Sequence, residues 1–457
     1  MSRHALLFLL LAASACAADA ETYLVQPDGS GDFATIEEAI SAAADGDVIE
    51  LADGTFSGPG NRDIDLLGKA ITIRSQTGNA EACRIDCQGS ETAHHRAFHF
   101  HSGEGPESRL ERVTITNGYI GDGAAIYVES LAAPTLTGCI FRTNTALSGG
   151  GALYCFGDVS VTNCHFYDNL AASRGGAVFC FHNQSIFQDC LFSRNCAINW
   201  GGAVSCVASL PHLVDCTFLE NTAYGSGAFS SDQWSHPILL RCTFLSNTAT
   251  HSAGGAASVE FASFTDCLFV GNASPLQGGA VWFSYPTSFT QCTFARNVAP
   301  EGAAIQVFYG GEGTLNACTL LGNEAPSTSA AVHCKSSGSV IADNTIVAST
   351  TGGKGIRCEG SAPADLTCCD VFGNEGGDWI GCLEGQLGVD GNISEDPLFC
   401  WPDPTEAMDW SLHSNSPCAP PQSECGLMGA WGVGCGPTPA HSPTWGGLKA
   451  LFREDTD

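Results

Sequence analysis

The sequence predicts an all-β chain wound into a single-stranded right-handed parallel β-helix, a solenoid, and three observations carry that prediction. Cys-x-Phe-x-x-Asn recurs eight times between residues 139 and 323, with Leu320 the one substitute for the Phe. Its cysteines are Cys139, Cys164, Cys190, Cys216, Cys242, Cys267, Cys292 and Cys318, so the interval is always 25 or 26 residues. Most copies are followed about eight residues later by Gly-Gly-Ala. A fixed period of this length marks one turn of a stacked repeat. Helical repeats need long stretches with apolar residues at i, i+3, i+4 and i+7, whereas runs such as "CTFL" and "GAVF" are broken every few residues by Gly, Asn, Ser or Thr. Leucine-rich repeats would carry a Leu lattice, and this repeat carries Cys, Phe, Ala and Val instead.

In a parallel β-helix each coil is about three short strands, and coils stack at roughly 4.8 Å. Equivalent residues then form ladders. Asn144, Asn169, Asn195, Asn221, Asn247, Asn272, Asn297 and Asn323 are expected at one corner, in the left-handed conformation that Asn tolerates, each amide bonded to that of the next coil. The Gly-Gly-Ala triplets mark a second corner, where glycine supplies positive φ and Ala opens the next strand. No helix start or Lys follows these glycines, so they are not a phosphate cradle.

The elements follow in order. Residues 1–20 read as a secretory signal, with Arg3 and His4, an apolar run from Ala5 to Ala13 and small residues before Glu21. Cys16 is the alternative lipoprotein acceptor, although Ala13 stands where that box favours Leu. The β-helix is expected over 21–395. Thr35-Ile36-Glu37-Glu38 is a capping box, and Ile36, Ala39, Ile40 and Ala43 give the short helix one apolar face to plug the open N-terminal end. Looser coils fill Val48 to Tyr119, regular ones run to about Asn323, and degraded ones continue through "CCDVFGN". Segment 396–437 is dense in Pro, Gly and Cys and is expected to close the far end. Residues 438–457 are expected to be a flexible tail with a short helix-like patch.

Two stretches resemble known families. The pairing of Gly-Gly-Ala-[Ile/Val/Leu] with Phe-x-x-Asn resembles the polymorphic outer membrane protein repeat. The opening "YLVQPDGSGDFATIEEAISAA" with "GDVIELADGTF" resembles the N-terminal cap of pectin-lyase-like β-helix proteins. Together these cover roughly residues 22 to 375. The resemblance implies a secreted or envelope-associated β-helix in the extracellular space, the cell envelope or at the outer-membrane surface. It implies no single activity, since that fold hosts lyases, hydrolases, esterases, adhesins and stalks.

The formal charge of −30 is spread along the chain, which disfavours nucleic acid and anionic membranes as partners. No stretch approaches the apolar length of a transmembrane helix, and the chain is expected to be a monomer. A C-terminal outer-membrane barrel is not read either. Of the 24 cysteines, eight lie in the first ladder, and Cys155, Cys180, Cys206 and Cys334 form a second column. Stacked neighbours about 4.8 Å apart exceed the ~3.8 Å between Cβ atoms that a disulfide prefers, so these are expected to be buried thiols packed as small apolar units. The eight from Cys358 to Cys435 are where bridges are expected, while Cys83 and Cys87 are too isolated for a metal site.

Alternation after the repeat Ala places one outward face with the pairs Tyr154/Phe156, Phe179/Phe181, Ser230/Asp232, Ser258/Glu260 and Trp282/Ser284. Asp232 and Glu260 fall at equivalent positions of adjacent coils, so their carboxyls are expected about 5 Å apart, the separation of retaining glycosidases. Trp234, His236 and Trp282 flank them. This face is the candidate glycan site, with Tyr154, Phe179, Trp234 and Trp282 as stacking rings and the two acids as catalytic pair or calcium ligands. The plainer alternative is an acidic exposed face in an acidic protein. In "AHHRAFHFH", His99 and His101 share a face and are the zinc candidates, though strand neighbours lie ~6.8 Å apart and a third ligand is not assured. No cofactor is required, and calcium is the one the acids would accept.

The Asn-Thr-Asp, Gly-His-Gly and Arg-Ile-Lys motifs of polygalacturonase-like hydrolases are not found, nor are the Gln and Asp motifs of pectin methylesterases. Lys335 stands three coils from Glu260, roughly 14 Å away and too far to act as a lyase base. The favoured reading is therefore an exported, non-catalytic adhesion or glycan-binding module. The alternative is a polysaccharide lyase or glycoside hydrolase with an atypical site near Asp232 and Glu260, and a third reading is a structural spacer.

Overall fold

A computed structural model describes residues 20–326, 328–360, 362–400 and 410–435. The signal reading of 1–20, with its Cys16 alternative, and the tail 438–457 lie outside these residues save for Ala20.

The chain forms a parallel β-solenoid. One coil visits Thr135–Thr137, Ile140–Arg142, Thr145–Ala146 and Leu153–Cys155 in turn, and each strand pairs in parallel with its equivalent one coil on. Stacking yields sheet A of 14 strands, sheet B of 13, sheet C of 11 and a six-stranded corner sheet between B and C. The corner sheet is the one departure from three strands per coil.

The repeat Phe forms the inner wall of sheet B. Phe141, Phe166, Phe192, Phe218, Phe244, Phe269 and Phe294 stack face to face at 4.6–4.9 Å, the coil spacing itself. Each such pair adds about 0.5–1.5 kcal/mol beyond its buried area. The repeat cysteines are buried and unbridged, with each thiol aimed at backbone carbonyls; Cys216 Sγ donates to Val214 O at 3.4 Å. Burial pushes the Cys334 and Cys369 thiols up to about 12, which keeps them protonated and inert.

The Asn column is an amide ladder: Asn144 Nδ2 donates to Asn169 Oδ1 at 3.0 Å, and the same 3.0 Å contact repeats down to Asn323. Its conformation corrects the expectation. The left-handed residue is the one before each Asn, with φ of 53° to 55° at Thr143, Asp168, Arg194 and Glu220. That residue takes the turn at the surface, which leaves the Asn free to point inward and meet its neighbour. At the other corner the first Gly carries positive φ, 66° at Gly201, while a Cβ on Gly202 would lie 2.0 Å from Gly227 O. The pair is thus needed for two different reasons.

At the N-terminal end the helix Ile36–Ala42 is capped by Thr35, whose Oγ1 accepts from Glu38 N, while Glu38 Oε2 accepts from Ala34 N. Ile36, Ala39 and Ile40 are buried against the first coil. At the other end two expectations need correction. The end of the tube is plugged by the 3₁₀ turn Gly381–Leu383, with Leu383 buried beside Trp379 and Cys382. The segment 410–435 does not close the end but folds back along the outer face of sheet B. Trp431 Nε1 donates to Thr293 Oγ1 at 2.7 Å and Ala430 N to Thr319 Oγ1 at 2.9 Å. Of the eight late cysteines, six form the bridges Cys358–Cys382, Cys368–Cys425 and Cys400–Cys435. Cys369 and Cys418 remain thiols. Cys369 continues the repeat column, and Cys418 is buried against Asp370.

Candidate functional site

The outward column of sheet C changes character along the rod. It begins with Tyr127, Tyr154 and Phe179, passes through Ser205, Ser230 and Ser258, and returns to an aromatic at Trp282. Three small residues between large rings leave a hollow. It encloses about 220 Å³, with Ser230, Ser231, Ser258 and Val259 as its floor and Trp200 and Trp282 as aromatic walls. Arg174, Asp232 and Glu260 form the polar rim. Trp200 reaches the hollow because Gly225, its partner in the next coil, has no side chain; a Cβ there would lie 2.5 Å from the indole.

Asp232 and Glu260 follow the paired Ser230 and Ser258 by two residues, so they occupy equivalent places on adjacent coils of one wall. Each is already engaged. Arg174, two coils earlier, forms an ion pair and hydrogen bond with Asp232 Oδ2. Glu260 Oε2 accepts from Trp234 N at 3.0 Å, and Glu260 N donates to Ser231 Oγ at 3.1 Å. A retaining pair needs one carboxyl to donate a proton to the leaving oxygen and the other to attack carbon. Here both carboxylates anchor the wall, and Arg174 supplies the positive charge that a calcium ion would bring. Two polar atoms of the site are buried with no hydrogen-bond partner, the acceptor Asp232 Oδ1 and the donor Trp282 Nε1.

Other candidates are placed differently. The Trp234 ring is 67 % exposed and lies outside the hollow, stacked on Phe261 at 5.3 Å, with His236 on the same Phe261 at 4.8 Å. Only the backbone of Trp234 reaches the acids, because Gln233 and Trp234 both take positive φ and turn the chain away from sheet C. Tyr154 and Phe179 are half-buried; Tyr154 stacks on Tyr127 at 4.8 Å, and burial pushes its phenol up to about 12. They form one shoulder of the face and not the hollow itself.

His99 and His101 have rings 4.3 Å apart, but each takes a different carboxylate: His99 Nε2 meets Glu129 at 3.1 Å and His101 Nε2 meets Asp65 at 3.3 Å. Among the described residues no group of three or more His, Cys, Asp or Glu side chains is arranged to hold a metal ion. The zinc expectation is corrected on that geometry. Lys335 pairs with Glu301 at 3.0 Å, away from the acids. Arg174 and Trp200 were missed in the sequence reading. Both precede a Gly-Gly pair, and reading that position as a column of its own would have exposed them, since Arg174 and Trp200 are bridged neighbours.

Among known proteins, the family description "Right handed beta helix region" matches residues 50–218, 100–272 and 215–393. No curated protein sequence matches. Similar solved structures include a rhamnogalacturonan lyase with TM-score 0.42 and 12 % identity, covering 76 % of this chain and 87 % of that one. The catalytic unit of a thermostable GH87 alpha-1,3-glucanase from Streptomyces thermodiastaticus gives TM-score 0.37 and 13 % identity, with coverages of 80 % and 70 %. Pectate lyase Pel9A gives 0.34 and 13 %, with coverages of 91 % and 96 %. At these scores and identities they carry no argument about what this chain does. Among the described residues no helix is long and apolar enough to cross a membrane.

Proposed function

This chain belongs to the right-handed β-helix family, and on that footing we propose that it is a non-catalytic glycan-binding module whose site is the hollow of sheet C. The observation that carries the reading is the pair of unpartnered buried atoms in an aromatic-walled hollow, Asp232 Oδ1 and Trp282 Nε1. A buried polar atom without a partner costs about 1–3 kcal/mol. A saccharide offers hydroxyls that donate to the carboxylate and accept from the indole, and apolar C–H faces that lie against Trp200 and Trp282. The engagement of Asp232 and Glu260 in the wall supports binding over turnover. Three disulfides in the C-terminal region support an extracytoplasmic address.

The test is a glycan array followed by calorimetry on the best ligand. Trp282→Ala is expected to weaken binding about ten-fold or more, the equivalent of 1.4 kcal/mol, while Trp234→Ala, outside the hollow, leaves it unchanged. Failure of every glycan, or equal binding by Trp282→Ala, overturns the proposal. The placement of two acids on adjacent coils keeps the hydrolase reading as the second. New reducing ends that disappear in both Asp232→Asn and Glu260→Gln would establish it.

A further inference from the structure

The residue after the repeat Phe points out of the tube on sheet B. It is Arg142, Tyr167 and Ser193 in the early coils, then Leu219, Leu245, Val270, Ala295 and Leu321. Outward side chains of a single-walled solenoid lie in water unless something covers them. Leu219 is nevertheless 2 % exposed and Leu245 0 %. Burying an outward Leu stabilises by about 1.5–3 kcal/mol, so the cover matters.

Residues of the folded-back segment cover one end of this column. Trp410, Leu412, Met428 and Trp431 pack in one cluster with it. Trp431 is pinned over Thr293 and Ala430 over Thr319. Leu219 belongs to the strand Thr217–Leu219, three coils before the strand Thr293–Ala295, about 14 Å along the rod at 4.8 Å per coil. That is further than the Trp431 indole extends.

The chain leaves the described residues at Cys435, which is bridged to Cys400 and lies in the strand Val433–Cys435 paired with Leu412, a member of the same cluster. Residues 436–457 follow. They contain Trp445, Leu448, Leu451 and Phe452, the last three at i, i+3 and i+4 and Trp445 one turn before, which is a one-sided apolar pattern. Even fully helical, at about 1.5 Å per residue, the segment is longer than the gap it must bridge.

We propose that residues 438–457 are a clasp that lies along the outer face of sheet B and covers Leu219 and Leu245 with the Trp445, Leu448, Leu451 and Phe452 side. The chain then secures its own lateral face, and the apolar column opens to water only when the clasp is released.

Hydrogen–deuterium exchange on the full chain tests this. Fragments within 443–453 are expected to exchange at least about ten-fold more slowly than a free peptide of the same sequence, the mark of an ordered segment. That protection is expected to vanish in Leu219→Gln/Leu245→Gln while the Phe218 and Phe244 amides keep theirs. Exchange at the free-peptide rate in the unmodified chain overturns the proposal, as does protection indifferent to the double substitution. Should that variant misfold, Leu448→Ser/Leu451→Ser/Phe452→Ser leaves the rod's inner core untouched. It is expected to raise ANS fluorescence with the far-ultraviolet circular dichroism unchanged, and no rise overturns the clasp. A dimer of the unmodified chain that dissociates in Leu219→Gln/Leu245→Gln also overturns it, because a second copy would then be the cover.

Discussion

Asn221→Ala is the sharpest test of what holds the coils in register. Asn221 is fully buried; its Oδ1 accepts from Asn195 N at 2.9 Å and from Asn195 Nδ2 at 3.0 Å, and its Nδ2 donates to Phe192 O at 2.9 Å. Truncation orphans the Asn195 N–H, one hydrogen of the Asn195 amide and the Phe192 carbonyl. Asn247 Oδ1 keeps the Asn221 N–H and is not orphaned. At about 1–3 kcal/mol per unsatisfied buried group, the loss is roughly 3–9 kcal/mol, a large share of the ~5–15 kcal/mol that holds a domain folded. Asn199, exposed and touching only Ser173 Oγ at 3.4 Å, is the control, expected within about 0.5 kcal/mol of the unmodified chain. Asn221→Asp should cost more than Ala, because it removes the donor and buries a charge in its place. Solenoid coils need not unfold together, so urea unfolding should be paired with amide exchange at Phe192–Asn195, where the loss is expected to concentrate. A cost below about 1 kcal/mol for Asn221→Ala refutes the ladder as a source of stability.

Three further outcomes follow from burial and charge. Among the described thiols Cys196 alone is not fully buried, so a thiol reagent on the native protein should label it first, and Cys196→Ser should remove the fast phase. Burial raises Asp370 to about 7, against the opposing hydrogen bond from Cys418. The folded state therefore binds the extra proton, and its contribution to stability is full below about pH 4 and lost as pH rises through 7, on the order of 4 kcal/mol. Trp410 and Trp431 fluorescence under urea at pH 5 and pH 8 should show this, and Asp370→Asn should flatten the difference. Reduction of the three bridges should speed amide exchange in 382–435 and leave the coils from Cys139 to Asn323, which contain none, unchanged.

The rod was legible because stacking repeats one contact at each coil. Any residue that meets its own kind at 4.8 Å is selected again 25 or 26 positions later, so Cys139, Phe141 and Asn144 announce the period directly. Alternation after the repeat Ala likewise placed Asp232, Glu260 and Trp282 on one outward face, and they do line one hollow. What alternation cannot deliver is the partner of an outward side chain. Arg174 reaches Asp232 from 58 residues away, at a corner where neither period nor strand pattern constrains the side chain. The same limit explains Trp234. Its sequence distance from Asp232 is two residues, but two consecutive left-handed residues rotate its ring onto Phe261.

The outer face of sheet B shows a signal that was present and passed over. The column after the repeat Phe turns from Arg142, Tyr167 and Ser193 to Leu219, Leu245 and Val270 within three coils, with no change in the inner Cys and Phe columns. Inner columns report the fold, since every coil must fill the same tube. Outer columns are free of that demand, so a sustained apolar run there reports a neighbour. On sheet B the neighbour includes the segment 410–435, whose dense Pro, Gly and Cys suggested an end cap because the same composition suits any irregular packed segment. On sheet C the interruption by Ser205, Ser230 and Ser258 is the converse signal, small residues where bulky ones would otherwise stack. A solenoid of this kind is therefore best read twice, once inward for its architecture and once outward, column by column, for where it is covered and where it is hollow.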